Sequence, residues 1–231
     1  MPLKIDNYHF SRFSVLEGLP EDESRLLKEK MIRKEIKKGQ LIYRQGSFPR
    51  GVYFLRKGKV KIYQTNSEGK EQIIYIYTRG ESFGYRPILS AEPHPVSAKA
   101  LEDSVLSFVP AQSFIRLLNR SSVLPNILLR ALSREFSVWA NHISVFAQKS
   151  VRERLALALL ILNEKYKRKD KGHLPPVINL SRDDLANYVG TAKETLVRML
   201  QNFKEKKIIR TEGRRIIVLD PAELENISDL F

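Results

Sequence analysis

Short apolar runs separated by glycines dominate the chain between residues 34 and 110. The runs are rich in β-branched and aromatic residues: Leu41-Ile42-Tyr43, Val52-Tyr53-Phe54-Leu55, Val60-Lys61-Ile62-Tyr63, Ile73-Ile74-Tyr75-Ile76-Tyr77 and Val105-Leu106-Ser107-Phe108-Val109. Short strands divided by glycine turns at near-regular intervals are typical of a sandwich, roll or barrel. We therefore predict an all-β unit, with a hairpin tip at Asn66-Ser67-Glu68-Gly69. A short amphipathic helix is predicted before it, beginning near Pro20-Glu21-Asp22-Glu23.

A helical period replaces this pattern between residues 122 and 148. Six apolar residues, which we call the seam, recur at the alternating spacings of a heptad repeat: Leu129, Leu132, Phe136, Trp139, Ile143 and Phe146. The same helix has a second apolar stripe at Leu124, Leu128, Ala131, Val138 and Val145. Because two apolar stripes need two partners, we predict that one packs on the all-β unit and that the seam packs on a second subunit. The alternative for any one seam residue is that it, too, lies against the all-β unit.

Two short helices joined by a glycine follow in the last third of the chain. The first is predicted to begin at Ser181-Arg-Asp-Asp184, a capping-box-like start, and to end at Gly190. Thr191-Ala-Lys-Glu194 is a second capping box, and it opens a helix with one apolar face at Leu196, Leu200 and Phe203. Two helices in this arrangement are typical of a helix-turn-helix. Apolar residues on both sides of Glu212-Gly213-Arg214-Arg215 predict a hairpin wing with a basic tip.

The second helix carries a polar face opposite its apolar one. Glu194, Arg198 and Gln201 fall together on that face at the angular spacing of a helix. Arginine is suited to bidentate bonding with guanine, and glutamate can accept a hydrogen bond from cytosine N4. Three alternatives stay open: Glu194 acts only as the capping partner of Thr191, Arg198 is an ordinary solvated charge, or the winged helix is used for protein contacts.

The charge balance favours a polyanionic partner. The chain has 40 Lys and Arg against 26 Asp and Glu, a formal net charge of +14, and such a field favours nucleic acid or an anionic membrane. Lys and Arg outnumber Glu between Lys193 and Arg215, so we expect double-stranded DNA as the partner. No apolar run approaches the roughly 20 residues that span a bilayer, and the N-terminus lacks the apolar core of a signal peptide. We expect a cytoplasmic protein with no membrane partner.

The residues for catalysis or metal binding are scarce. There is no cysteine, which removes disulfides, thiolate zinc sites and Cys-ligated iron–sulfur clusters. The four histidines, His9, His94, His142 and His173, lack metal-ligand spacing. No P-loop or Gly-x-Ser-x-Gly turn is present, and a cupin-like enzyme would need several histidines in the all-β unit. We therefore expect no enzyme, no metal site and no evident cofactor, with a haem ligated by His94 or His142 as the alternative.

The segment from Ser181 to Leu200 closely resembles the helix-turn-helix of the CRP/FNR superfamily of bacterial regulators. The glycine-punctuated strands, including Gly80-Glu-Ser-Phe-Gly84, resemble that family's cyclic-nucleotide-binding-type domain, so the resemblance covers nearly the whole chain. It implies an α+β fold with three parts: an N-terminal, jelly-roll-like β-roll sensor (1–121), a long dimerisation helix (122–148) and a C-terminal winged helix-turn-helix (149–231). It also implies a homodimeric, sequence-specific regulator that binds a palindromic operator, with RNA polymerase as a further partner.

The resemblance assigns the DNA contacts residue by residue. Glu194 and Arg198 match residues that contact bases in the family, and Arg182 matches a phosphate contact. Lys193 lies where the cAMP-responsive branch has another base-contacting arginine, whereas Val197 replaces a small or hydroxyl residue. The complete predicted DNA-binding set is Arg182, Lys193, Glu194, Thr195, Arg198, Gln201, Arg214 and Arg215.

The sensor departs from the cAMP-responsive branch. Where the family's pocket has Gly-Glu-Leu followed by an Arg-Ser pair, this chain has Gly84-Tyr85-Arg86 and then Glu92-Pro93. We predict an effector pocket at Gly84, Tyr85, Arg86 and Trp139, an unidentified small-molecule effector and no response to cAMP. The loop Glu92-Pro93-His94-Pro95 is more similar to that of the oxygen-sensing branch, whose cluster needs cysteines. The alternative function is a cyclic-nucleotide-type ligand-binding regulatory module that acts through protein contacts.

Overall fold

The computed structural model describes residues 7–8, 18–167 and 175–228, which divide into two units. The N-terminal unit ends at Phe136, and the C-terminal unit begins at Ser137 and also includes residues 7 and 8. The long helix predicted from the heptad spacing therefore contributes residues to both units.

The N-terminal unit contains two antiparallel sheets of four strands each. The strands are β1 (Ile32–Ile36), β2 (Leu41–Tyr43), β3 (Gly51–Lys57), β4 (Val60–Thr65), β5 (Glu71–Tyr77), β6 (Ser82–Phe83), β7 (Ser97–Ala100) and β8 (Ser104–Pro110). One sheet has the order β1-β8-β3-β6 and the other the order β2-β7-β4-β5. The five apolar runs of the sequence correspond to β2, β3, β4, β5 and β8, which confirms the predicted all-β unit and its β-roll.

Aromatic rings join the two sheets inside the roll. The ring of Tyr77 on β5 stacks on Phe83 of β6 with centroids 5.0 Å apart, and Tyr53 of β3 stacks on Phe83 at 5.3 Å. The predicted hairpin tip between β4 and β5 is confirmed, since the Asn66 side chain accepts hydrogen bonds from the backbone of Glu68 and Lys70. All three rings are at most 5% exposed, and burial of aromatic rings stabilises the packing of the two sheets.

The described helices of this unit are α1 (Glu21–Glu29), α2 (Arg86–Ser90), α3 (Ala111–Arg120) and the part of α4 (Leu124–Gln148) that ends at Phe136. The predicted α1 and α4 are confirmed. Leu124 and Leu128 of α4 are buried in one hydrophobic cluster with Val52, Phe54 and Val109 of the roll. The predicted contact between the second stripe and the all-β unit is therefore confirmed for these residues.

The seam is exposed along most of its length. Leu129 is 66% exposed, Phe136 74% and Ile143 69%. Leu132 differs, because it is partly buried against the same hydrophobic cluster. Trp139 is half-buried. The alternative of packing within the subunit thus holds for Leu132.

The C-terminal unit consists of short helices around a three-stranded sheet. Its elements after α4 are α5 (Val151–Lys165), β9 (Ile178–Asn179), α6 (Arg182–Val189), α7 (Lys193–Glu205), β10 (Ile209–Glu212), β11 (Arg215–Val218) and α8 (Pro221–Ser228). The strand order is β10-β11-β9, and β10 and β11 form the predicted wing hairpin. This arrangement is a winged helix-turn-helix.

Candidate nucleic-acid interface

Helix α6 begins and ends where the sequence predicts. The Ser181 hydroxyl accepts a hydrogen bond from the Asp184 backbone N–H at 3.0 Å, which caps the first turn. Gly190 ends the helix with φ of 73°, a left-handed conformation that glycine adopts without steric cost. Its N–H donates to the carbonyl of Ala186 at 2.8 Å. The chain is thereby turned sharply toward α7.

The predicted capping box at the start of α7 is wrong. The N-cap is Ala192, with no side-chain cap, and the helix begins at Lys193. Thr191 still belongs to the end of α6, because its backbone N–H donates to the carbonyl of Ala186 at 3.0 Å. Glu194 is consequently the second helical residue, one position short of the capping-box partner. The interpretation of Glu194 as a capping group for Thr191 therefore fails.

Helix α7 buries one face and exposes the other. Leu196, Leu200 and Phe203 are buried, at most 3% exposed, which fixes the helix on the core of the C-terminal unit. Glu194 and Arg198 are exposed on the opposite side. Among the described residues, neither of these two side chains has a hydrogen-bond or ion-pair partner. A carboxylate and a guanidinium one turn apart are thus both free for an external partner.

The remaining predicted residues of α7 differ in how they are engaged. The Gln201 side-chain amide donates to Glu205 at 3.0 Å. Lys193 forms an ion pair with Asp183 of α6 at 3.0 Å, and both side chains are more than half exposed. Thr195 is half-buried, and Val197 is 46% exposed between the polar positions. An exposed ion pair contributes little stability, so Lys193 can exchange Asp183 for another anion at small cost.

Arg182 links the first helix of the motif to the wing. Its Nη2 donates to the carbonyl of Gly213 at 2.9 Å, at the tip of the β10–β11 hairpin. Its Nη1 is buried and has no hydrogen-bond partner among the described residues. Burial lowers the pKa of Arg182, but an arginine starting from so high a value stays charged. Arg214 and Arg215 follow the same tip and are exposed.

Two predicted effector residues of the roll, Tyr85 and Arg86, contact a carboxylate that the sequence analysis missed. The Tyr85 hydroxyl donates to Glu135 at 2.6 Å, and Arg86 Nε lies 2.9 Å from Glu135 Oε2. Arg86 also donates to the Tyr77 hydroxyl at 3.1 Å. Burial raises the pKa of Glu135, and the Arg86 charge opposes that rise. The one available signal was an acidic residue beside Phe136, close to the buried stripe of α4.

Gly84, Tyr85 and Trp139 lie in different surroundings. A side chain at Gly84 would meet the Tyr53 ring at 3.0 Å. Tyr85 is 2% exposed and belongs to the hydrophobic cluster beneath α4. Trp139 belongs to the C-terminal unit, where its ring meets His142 edge-on at 6.2 Å. Their common membership of an effector pocket stays a prediction.

The described histidines are engaged within the protein. His94 is 2% exposed, and its ring stacks on Tyr43 with centroids 3.8 Å apart. The His142 Nε2 lies 2.8 Å from the carbonyl of Tyr8. Over the described ranges, no group of three or more His, Asp or Glu side chains is arranged to hold a metal ion. In the same ranges no helix combines the length and apolarity required to cross a membrane.

Two family models match the chain, one in each half. The cyclic nucleotide-binding domain matches residues 33–121, and the Crp-like helix-turn-helix domain matches residues 153–227. The second match contains α6, α7 and the wing. It therefore includes every residue of the predicted DNA-binding set.

Curated relatives and a solved structure extend the similarity over most of the chain. The transcriptional activator protein Anr of Pseudomonas protegens is 30% identical over 189 residues, which cover 82% of this chain and 77% of the relative. The fumarate and nitrate reduction regulatory protein of Vibrio cholerae is 29% identical over 196 residues, with coverages of 85% and 78%. FixK2 from Bradyrhizobium japonicum has the same fold, with a TM-score of 0.78, 22% identity and coverages of 87% and 98%. These similarities point to transcription regulators rather than to enzymes.

Proposed function

Because this chain belongs to the CRP/FNR family of transcription regulators, we propose that it works as a homodimer that binds a palindromic operator in double-stranded DNA through α7. The observation that carries this proposal is the exposed face of α7, where Glu194 and Arg198 have no partner among the described residues. Both lie in the first two turns, the part of a recognition helix that meets base edges in the major groove.

Glu194 and Arg198 are proposed to contact one G·C pair in each half of the operator. Arg198 would donate two hydrogen bonds to guanine O6 and N7, and the Glu194 carboxylate would accept from N4 of cytosine. The start of α7 at Lys193 supports this division, because it leaves the Glu194 carboxylate outside the helix cap. Thr195 and Gln201 flank this pair as secondary contacts.

The phosphate contacts are assigned to cations around this face. Arg214 and Arg215 lie at the exposed wing tip, and Lys193 can leave Asp183 for a phosphate. Arg182 is proposed to act partly through the wing, since it donates to the Gly213 carbonyl. Its second amino group would reach a phosphate only after a small local movement.

The seam is proposed to form the dimer interface. Large apolar side chains exposed along one helix, such as Leu129, Phe136 and Ile143, mark an association surface. Phe146 extends it, whereas Leu132 and Trp139 would contribute less because both are half-buried. A dimer through this helix would place the two copies of α7 about 34–36 Å apart, one turn of DNA.

The β-roll (1–121) is proposed as the sensor, the helix 122–148 as the dimerisation element and 149–231 as the DNA-binding domain, with RNA polymerase as the downstream partner. We expect the effector of the roll to be a small molecule other than cAMP. A buried cyclic phosphate needs a cation, and the Arg86 guanidinium already pairs with Glu135 at 2.9 Å. Calorimetry with cAMP should detect no binding heat at micromolar concentration.

The experiment that tests the proposed function is selection of duplexes from a random library by the full chain. We expect enrichment of a palindrome with a G·C pair at the same place in both halves. Arg198→Ala should lose the enrichment of one base pair at that position. If the recovered duplexes share no common sequence, the result would favour the alternative, a regulatory module that acts through protein contacts.

A further inference from the structure

Arg154, in the first turn of α5, donates to three backbone carbonyls at once. Its Nη1 lies 2.9 Å from the oxygen of Lys149, its Nε 3.0 Å from that of Val189, and its Nη2 3.1 Å from that of Gly190. All of these residues belong to the C-terminal unit. One guanidinium thus connects two points that are distant in the chain, and each of its nitrogens serves a different acceptor.

The acceptors lie at the junctions between helices. Lys149 follows the last residue of α4 and precedes Ser150, the N-cap of α5. Val189 is the last residue of α6, and Gly190 is its left-handed cap. Carbonyls at helix ends lack partners inside the helix, and the rigid fork of arginine can satisfy several of them together. Arg154 therefore connects, through its hydrogen bonds, the end of α4 and the turn of the helix-turn-helix.

The same guanidinium contacts the seam. Its Cζ lies 5.5 Å from the ring centroid of Phe146, within the range of a cation–π contact. Phe146 is 41% exposed and is the last seam residue before the α4–α5 junction. Arg154 thus lies between the proposed dimer interface and the turn from which α7 starts.

We propose that Arg154 is a positioning residue that sets the direction of α7 relative to the end of α4. In the dimer this fixes the distance between the two copies of α7 and selects the spacing of the operator half-sites. The inference rests on the proposed function, because it assumes a DNA-binding dimer. The physical reason is geometric. Because α7 begins shortly after Gly190, a small rotation of that turn displaces the distant end of the helix by a larger amount.

The test compares Arg154→Met with Arg214→Met on palindromes whose half-sites are moved apart or together by one or two base pairs. Both changes remove one guanidinium, but Arg214 lies at the exposed wing tip. We expect Arg154→Met to bind the preferred spacing about tenfold to a hundredfold more weakly, because its charge-assisted hydrogen bonds are absent. Its affinity for random DNA and its salt dependence should stay those of wild type, and its preference for one spacing should flatten.

Arg214→Met should show the opposite behaviour. We expect it to weaken all duplexes alike, to keep the spacing preference and to reduce the salt slope by about 1 for each phosphate that the variant no longer neutralises. Arg154→Lys keeps the charge without the fork, so its spacing preference should lie between wild type and Arg154→Met.

An intact spacing preference in Arg154→Met would overturn the proposal, and so would equal losses on specific and random DNA. If circular dichroism shows that Arg154→Met is unfolded, Arg154→Lys is judged by the same two criteria. A wild-type protein that binds no DNA would instead refute the proposed function.

Discussion

Arg198 and Arg86 occupy opposite environments in the two units of this protein. Arg198 is exposed on α7 and has no partner among the described residues, whereas Arg86 lies 2.9 Å from the buried Glu135 and donates to Tyr77. The first arrangement leaves donors available for an external anion or base. The second uses the cation to neutralise a carboxylate that burial would otherwise disfavour. Arg198 is therefore available for an external partner, whereas Arg86 stabilises the interior of the N-terminal unit.

The largest expected effect concerns the internal pair. Glu135→Ala removes the carboxylate that pairs with the partly buried Arg86, so we expect a loss of about 2–4 kcal/mol in the free energy of unfolding of the N-terminal unit. Urea denaturation followed by tyrosine fluorescence measures it. Glu35→Ala is the control, because its ion pair with Arg33 is more than 70% exposed on both sides and should contribute under about 1 kcal/mol. Equal losses in both variants would show that the Arg86–Glu135 pair stabilises the roll no more than an exposed ion pair does.

The next prediction concerns recognition. Arg198→Ala should cost about 1–3 kcal/mol on the selected operator and relax the preference at one base pair of each half-site. It should leave the free energy of unfolding unchanged, because the side chain has no partner among the described residues to lose. Fluorescence anisotropy with operator and random duplexes measures the two affinities. Equal losses on both duplexes would mean that Arg198 contacts the phosphate backbone and not a base, and no loss on either would mean that it is an ordinary solvated charge.

Acid should weaken the roll through His94. Burial lowers the pKa of His94 to about 4, below its ordinary value of 6.5, and its Nε2 has no partner within the described residues. The unfolded chain thus binds more protons than the folded one between these values. The associated stability is complete above pH 6.5 and is lost as the pH falls toward 4, at about 1–2 kcal/mol from pH 7 to pH 5.

His94→Gln is the matched variant for this pH dependence. Denaturant melts of both proteins at several pH values in this range give the free energy of unfolding, which should depend less on pH in the variant. Parallel curves would assign the acid sensitivity to other groups.

The smallest expected effect lies at the edge of the proposed DNA-binding face. Asp183→Asn breaks the exposed pair with Lys193, so the free energy of unfolding should change by less than about 1 kcal/mol. DNA affinity should rise slightly for all sequences, because a negative charge near the phosphates is removed. Anisotropy at low salt detects the change, and Glu35→Gln, which is remote in sequence from α7, should not reproduce it. A fall in affinity would show that Asp183 holds Lys193 in a productive position.

The sequence predicts most of the roll because its strands are apolar on a large part of their length. It misses β1, Ile32-Arg-Lys-Glu-Ile36, because charged residues interrupt the alternation and β8 is the one described strand paired with it. It misses β7, Ser97–Ala100, because small residues carry no clear strand signal. These elements form through pairing with strands that are distant in sequence, which local patterns do not encode.

In the candidate site, too, local features were predicted and contacts between distant residues were missed. The spacing of Glu194 and Arg198 on α7 is predictable from helical periodicity, and the structure places both on the exposed face. The N-cap of α7 was predicted one residue early, at Thr191. The Thr191 N–H donates to the Ala186 carbonyl, which keeps this residue at the end of α6. Glu135 and the acceptors of Arg154 were missed for another reason. Glu135 pairs with an arginine that is distant in the chain, and the acceptors of Arg154 are backbone carbonyls, which no sequence motif marks.

The most direct measurement of the central claim is a salt titration of DNA binding by the full chain, on its selected operator and on a random duplex. If a dimer neutralises about 6–10 phosphates, the logarithm of the affinity should fall against the logarithm of salt concentration with a slope of about −5 to −9. The operator should also bind at least about 10³-fold more tightly than the random duplex at physiological salt. A slope near zero, or equal affinity for the two duplexes, would contradict a sequence-specific DNA-binding regulator.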